Sequence, residues 1–130
     1  MMAKTIVQKL LLKEGDTLSV VGAGADERAV IGGLPDGVTE VAPADAAVSV
    51  TFVRTRDELM AHFGDELPAL TGARAVWFLY PKGGRADFNR DTFIREAGAF
   101  GWRPISNVAV DDVWSAVRVR PLAEGEAQVG

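Results

Sequence analysis

The sequence predicts an α/β fold: a single Rossmann-like three-layer domain around a mostly parallel sheet of about six strands, closed by an antiparallel C-terminal hairpin. Three observations carry that prediction. Short apolar, β-branched runs alternate with helically periodic segments through most of the chain, the pattern of β-α-β crossovers. The stretch "SVVGAGADE" (residues 19–27) runs an apolar strand straight into paired glycines. The last two strand-like runs are joined only by Asp111-Asp112-Val113, a connection short enough to make them antiparallel neighbours.

Residues 5–13 place Ile6, Val7, Leu10 and Leu11 at helical spacing and stop at Glu14-Gly15-Asp16, so a short N-terminal helix leads into the first strand. That strand, Thr17 to Val21, enters the glycine loop directly. A helical turn over about Asp26 to Ile31 follows and is broken by Gly32-Gly33-Leu34-Pro35-Asp36-Gly37. Val38 to Val41 reads as a brief second strand. Ala47 to Val53 reads as a third, apolar enough for burial on both faces. Thr55 and Glu58 have capping-box spacing before a stripe of Leu59, Met60, Phe63, Leu67 and Leu70, with Gly64 a point where the helix could bend or end. Ala75 to Tyr80 is the fourth strand, halted by Pro81-Lys82-Gly83-Gly84. Asn89 caps a helix to Phe100 with Phe93, Ile94, Ala97 and Phe100 inward. Arg103 to Val110 and Trp114 to Arg120 form the terminal hairpin. Residues 1–120 thus make one domain, and 121–130 read as a loose tail. Numbered along the chain, the predicted strand order is 2-1-3-4-6-5, with a switch point between strands 1 and 3.

Composition narrows the function classes. The chain has 130 residues, and its 14 basic and 18 acidic side chains give a net charge of −4, which argues against non-specific binding of nucleic acid or anionic membrane. It has no cysteine, so disulfides, thiolate catalysis and Cys-ligated metals are excluded, and a cytoplasmic protein is expected. The longest apolar runs fall well short of the ~20 residues that span a bilayer. Leu10-Leu11-Leu12 lies between Lys9 and Lys13 with no small-residue cleavage site behind it, which does not suit a signal peptide. His62 is the only histidine and has no second ligand at metal spacing, so it reads as structural and no metal site is predicted. No H-E-x-x-H, nucleophile elbow or Walker loop occurs, and no catalytic set can be named.

Several segments together resemble a shortened methyltransferase-like Rossmann core: "LKEGDTLSVVGAG" (12–24), "VWFLYPKGG" (76–84), a helix closing on Gly101-Trp102, and "VAVDDVWSAVRVR" (108–120). More narrowly, the run of Tyr-Pro-Lys-Gly, an Asn-capped helix and Val-Asp-x-x-Trp-Ser is similar to a family of small bacterial proteins known as a domain of unknown function. The resemblance implies a fold and supplies no activity. The full methyltransferase fold has a further strand and helix where this chain has only Ala42-Pro43-Ala44-Asp45-Ala46, which implies loss of the adenosine half of the pocket.

A dinucleotide loop needs three glycines, for a tight turn, for close approach to pyrophosphate, and for helix packing. Gly22 and Gly24 supply two, and Glu27 stands where the third would fall. The acid and third glycine of the methyltransferase loop are likewise replaced, by Val20 and Asp26. Asp26 and Glu27 would satisfy the free N–H groups of the following helix from within the chain and repel a phosphate arriving there. Beyond the carboxyl ends of the strands the predicted order collects Gly22, Gly24, Arg54, Arg56, Lys82, Asp111 and Asp112. Gly22, Gly24, Arg54 and Lys82 are the candidate ligand-binding residues, suited to a small anion. Asp111 and Asp112 point apart in extended chain and read as a hairpin turn. Trp77, Trp102 and Trp114 read as core anchors, with Trp114 nearest the rim.

The leading reading is a non-catalytic Rossmann-like module that binds a small anionic ligand or a protein partner. One alternative is a minimal S-adenosylmethionine-dependent methyltransferase using Gly22 and Gly24, with Asp45 for ribose hydroxyls. Another is a homo-oligomer that pairs through an exposed sheet edge at strand 2 or strand 5.

Overall fold

The computed structural model describes residues 5–82 and 86–122. The proposed tail from 123 onward and the Gly83-Gly84 part of the turn after the fourth strand lie outside the described residues. The elements are α1 (Ile6–Lys9), β1 (Thr17–Val21), α2 (Ala25–Ile31), β2 (Thr39–Glu40), β3 (Val48–Phe52), α3 (Arg56–Glu66), β4 (Ala75–Pro81), α4 (Arg90–Ala99), β5 (Trp102–Ala109) and β6 (Trp114–Pro121). Single 3-10 turns at Pro43–Asp45 and Leu67–Ala69 complete them.

The six strands form one sheet in the order β2-β1-β3-β4-β6-β5, as the sequence predicts. The first four in that list are parallel, and β6 runs antiparallel to both β4 and β5. β2 and β5 are the two edges. Alternation along the central strands sends side chains to two separate cores. Val48, Val50, Phe52, Trp77, Leu79 and Ala116 meet residues of α1 and α2 on one face. Val53, Val76, Phe78, Val117 and Val119 meet α3 and α4 on the other. β3 is buried along its whole length, as expected, although Ser49 and Thr51 alternate with its apolar residues and make one of its two buried faces polar.

Three elements differ from their predicted extent. The first helix is four residues long, capped reciprocally by Thr5 and Gln8, and it ends because Leu11 adopts a left-handed φ of 66°. That break resets the apolar stripe: Leu10 and Leu12 are buried, and Leu11 is exposed. The Leu10 carbonyl, released from the helix, accepts the indole N–H of Trp77 at 2.9 Å. β2 has two residues where four were expected, and both are exposed. In α4, Phe93 and Ala97 are buried but Phe100 is exposed at the C-cap.

Helix starts follow the capping chemistry closely. The Thr55 hydroxyl accepts the Glu58 N–H, and the Asn89 side-chain oxygen Oδ1 accepts that of Thr92. Glu58 reaches back one residue further than a standard box, to the Arg54 N–H at 2.8 Å, and so fixes the residue that follows β3 and Val53.

Candidate functional site

Between β1 and β3 the winding reverses: the chain leaves β1 for α2 on one face of the sheet and leaves β3 for α3 on the other. Open α/β sheets carry their ligands in the crevice at such a point. The tip of β1 closes tightly on β3 there. Gly22 has φ +73°, and a Cβ on it would stand 2.5 Å from the Phe52 carbonyl oxygen, so only glycine lets these two strand ends approach. Gly24 is different. Its φ is −91°, and a Cβ there would meet nothing nearer than Glu27 Oε1 at 3.6 Å.

Gly24 is the N-cap of α2, and its N–H donates to Glu27 Oε1 at 3.2 Å. The other carboxylate oxygen of Glu27 lies 3.3 Å from the Arg54 guanidinium. Arg54 in turn stacks over the indole of Trp114 at 5.0 Å, and Trp114 meets Phe52 edge-on at 5.0 Å. The Gly24 N–H, followed by Arg54, holds the Glu27 carboxyl below the usual carboxylate range, so it is ionised at neutral pH. One polar clasp thus ties the β1–α2 loop to the end of β3 and to the start of β6. Arg54 remains half exposed within it.

The remaining predicted rim residues go elsewhere. Arg56 turns to the other face, where its backbone N–H donates to Asp87 and its guanidinium pairs with Glu96 of α4 at 3.2 Å. Lys82 donates its backbone N–H to the Val113 carbonyl at 2.8 Å, beside the β5–β6 turn, and its side chain makes no ion pair among the described residues. Asp111 caps that turn, accepting the Val113 and Trp114 N–H groups at 2.8 and 2.7 Å. Asp45 is at the wrong end of the sheet for a ribose contact: its carbonyl accepts the hydroxyl of Thr17, the first residue of β1.

His62, read from sequence as structural, faces this crevice. Its Nε2 lies 3.6 Å from the position a Gly22 Cβ would occupy, and its Nδ1 is 3.0 Å from the Glu66 carboxylate one turn along α3. Burial raises the Glu66 pKa, a shift that nearby His62 opposes. The i, i+4 spacing of His62 and Glu66 was a visible signal for the pair, though not for its direction. Beneath α3, the β1 and β3 residues that alternate away from the first core include Ser19, Ser49 and Thr51, all three fully buried. Their hydroxyls have no hydrogen-bond partner among the described residues. Those residues also contain no group of three metal-ligating side chains, and no helix long and apolar enough to cross a membrane.

No protein-family model matches the sequence, and no curated protein matches it. Solved structures do resemble it. A protein of the NADB-Rossmann superfamily from Streptococcus agalactiae aligns over all of this chain and 72% of its own, with TM-score 0.61 and 9% identity. Ribosomal protein L11 methylase from Lactobacillus delbrueckii subsp. bulgaricus aligns over 91% of this chain and 76% of its own, with TM-score 0.54 and 11% identity. The DhpI–SAH complex aligns over 88% and 79%, with TM-score 0.52 and 12% identity. At these identities the likeness is one of fold: a methyltransferase-like Rossmann core. The narrower likeness to a family of unknown function has no matching family model behind it.

Proposed function

We propose that this chain is a methyltransferase-type Rossmann protein whose β1–β3 crevice binds S-adenosylmethionine, or the homocysteine form left after methyl transfer, by its amino-acid end. The observation that carries this reading is the Glu27–Arg54 ion pair over the tip of β1. A bare anion entering there can take Arg54 only by stranding Glu27, and it meets the negative charge of Asp26 and Glu27 as well. A zwitterionic amino acid offers both signs at once. Its carboxylate can replace Glu27 on Arg54 and its ammonium can replace Arg54 on Glu27, so each charge keeps a partner. The acids that oppose a phosphate thus suit an ammonium.

The fold neighbours favour this alternative over the non-catalytic anion-binding module expected from sequence, since a methylase and an SAH complex are among them. The fit covers half of the ligand. Arg54, Glu27 and the Gly22–Gly24 backbone suit the amino-acid end. At the adenosine end, β2 stops at Glu40, level with Leu18 and three residues below the tip of β1, and Glu40 is paired with Arg28 at 2.8 Å. Ribose recognition by an acid on β2 is therefore not part of the proposal. When bound, S-adenosylmethionine supplies an electrophilic methyl group on sulfur; the part of this chain is to hold and orient it.

Calorimetric titration with S-adenosylhomocysteine, ATP and inorganic phosphate tests the reading. S-adenosylhomocysteine should bind, Arg54→Ala should weaken it at least about tenfold, a loss near 1.4 kcal/mol, and ATP and phosphate should give no heat. Binding of phosphate or ATP without S-adenosylhomocysteine would restore the small-anion reading.

A further inference from the structure

We infer that His62, held by Glu66, is a further partner of that ligand: its neutral Nε2 accepts a hydrogen bond from the ligand ammonium, so that binding is coupled to the protonation state of the ring. The inference rests on the reading above. It adds a residue that lies in α3, outside the glycine loop, and it fixes the sign of a pH dependence.

The Glu66 carboxylate only accepts, so the neutral imidazole places its single proton on Nδ1, toward Glu66 at 3.0 Å. Nε2 is then an acceptor, turned toward Gly22 at the mouth of the crevice. No hydrogen bond to Nε2 exists among the described residues, whereas the Gly24 N–H and the Arg54 side chain are both engaged with Glu27. An ammonium has three donors, and Glu27 uses one; Nε2 offers a second acceptor beside the same loop.

Charges around the ring come from several elements. α3 contributes Glu66 and, next to it, Asp65. Glu27 comes from the β1–α2 loop, and Arg54 from the segment after β3. β1 and β3 contribute no charged side chain there; their buried polar groups are the hydroxyls of Ser19, Ser49 and Thr51. Glu27 sits well down its titration at neutral pH, since its carboxyl is held low, so it does not mimic a histidine transition. Protonating His62 removes the acceptor and sets a cation against the ammonium. Affinity should therefore fall as pH falls.

Calorimetry of S-adenosylhomocysteine with the full chain at pH 7.5 and 5.5, in two buffers of different ionisation enthalpy, reads both affinity and proton release. Binding should be weaker at the lower pH, because an imidazolium has no acceptor left for the ammonium. Proton release should appear there. His62→Gln keeps an amide near the loop but cannot titrate, and should bind equally at both pH values. Glu66→Gln takes away the carboxylate that holds Nδ1 and so orients Nε2, and should weaken binding at pH 7.5. Circular dichroism melts of both variants check that they fold. A flat profile in the unaltered chain, a slope that survives in His62→Gln, or tighter binding at pH 5.5 would overturn the inference while leaving the ligand reading intact. Absence of S-adenosylhomocysteine binding at both pH values would overturn the two together.

Discussion

The half of the sheet made by β4, β5 and β6 and the margin made by β1, β2 and the near side of β3 belong to one sheet but are built on different principles. On the first, strands of seven or eight residues carry Val76, Phe78, Val117 and Val119 against α3 and α4. Phe63, Phe78 and Phe93 meet edge to face there, with centroids 5.0 to 5.9 Å apart. On the second, the outer strand is two residues long, and the face toward α3 holds three buried hydroxyls. Aromatic burial of the first kind contributes about 2–3 kcal/mol per ring. Buried hydroxyls without partners contribute nothing to stability. The lesson is a division of labour: stability is concentrated away from the switch point, and polar groups able to meet a ligand are concentrated beside it.

The contrast can be broken most strongly from its stable side. Phe78→Ala removes a fully buried ring that touches Phe63 and Phe93, and urea denaturation should show a loss of about 3–5 kcal/mol. A loss under about 1 kcal/mol would mean that this half is not where stability lies. At the tip of β1, Gly22→Ala must accommodate both a positive φ and a contact with the Phe52 carbonyl, and should cost about 1–3 kcal/mol. The neighbouring Gly24→Ala has ordinary backbone and space, and the same measurement should register only about 0.5 kcal/mol for the poorer N-cap. Similar losses at the two glycines would contradict the distinction between an architectural and a replaceable position.

The two halves are also tied at the opposite end of the sheet. Arg74, just before β4, bonds both carboxylate oxygens of Asp16, just before β1, at 2.6 and 3.1 Å. The Arg74 hydrogen bond, aided by the Lys13 N–H, holds the Asp16 carboxyl below its ordinary value. The folded chain therefore binds that proton at lower pH than the unfolded chain does. The stabilisation is complete above the unfolded value of about 4 and is lost as pH falls through the lower folded value. Arg74→Met should remove under about 1 kcal/mol at pH 7 and flatten the acid limb of a stability–pH curve. The smallest effect expected is that of Thr51→Val, which deletes an unpartnered buried hydroxyl at nearly constant shape. Stability should be unchanged or higher by up to about 1 kcal/mol, and a clear loss would show that the hydroxyl is engaged.

Much of this fold was legible because its signals are local. Thr55 and Asn89 marked helix starts through chemistry that reaches only three residues along the chain. The three-residue turn before Trp114 required an antiparallel pair, and the β-branched run around β3 pointed to burial on both faces, which holds even though Ser49 and Thr51 make one face polar. Errors came where a local pattern met a tertiary demand. The Leu10-Leu11-Leu12 run has no phase of its own, and the Trp77 indole bond to the Leu10 carbonyl accompanies the break at Leu11. Asp45 follows strand 2 in sequence, yet it lies just before β3, and because β3 runs parallel to β1 the connection must return it to the Thr17 end of the sheet. At the candidate site, the two acids after the glycine loop were recognised as capping groups, and Glu27 does cap Gly24. Its second contact, with Arg54, could not be read, and the direction of His62 could not either.

By itself the sequence determined the element types, the strand order and the composition of the β1 tip, since periodicity, capping and turn length act over a few residues and survive any rearrangement of the rest. Only the tertiary structure decided that Gly22 meets the Phe52 carbonyl, that Arg54 spans Glu27 and Trp114, and that His62 turns toward the loop rather than to solvent. Each of these joins residues far apart along the chain, and such pairings are set by how the layers pack, which no local pattern encodes.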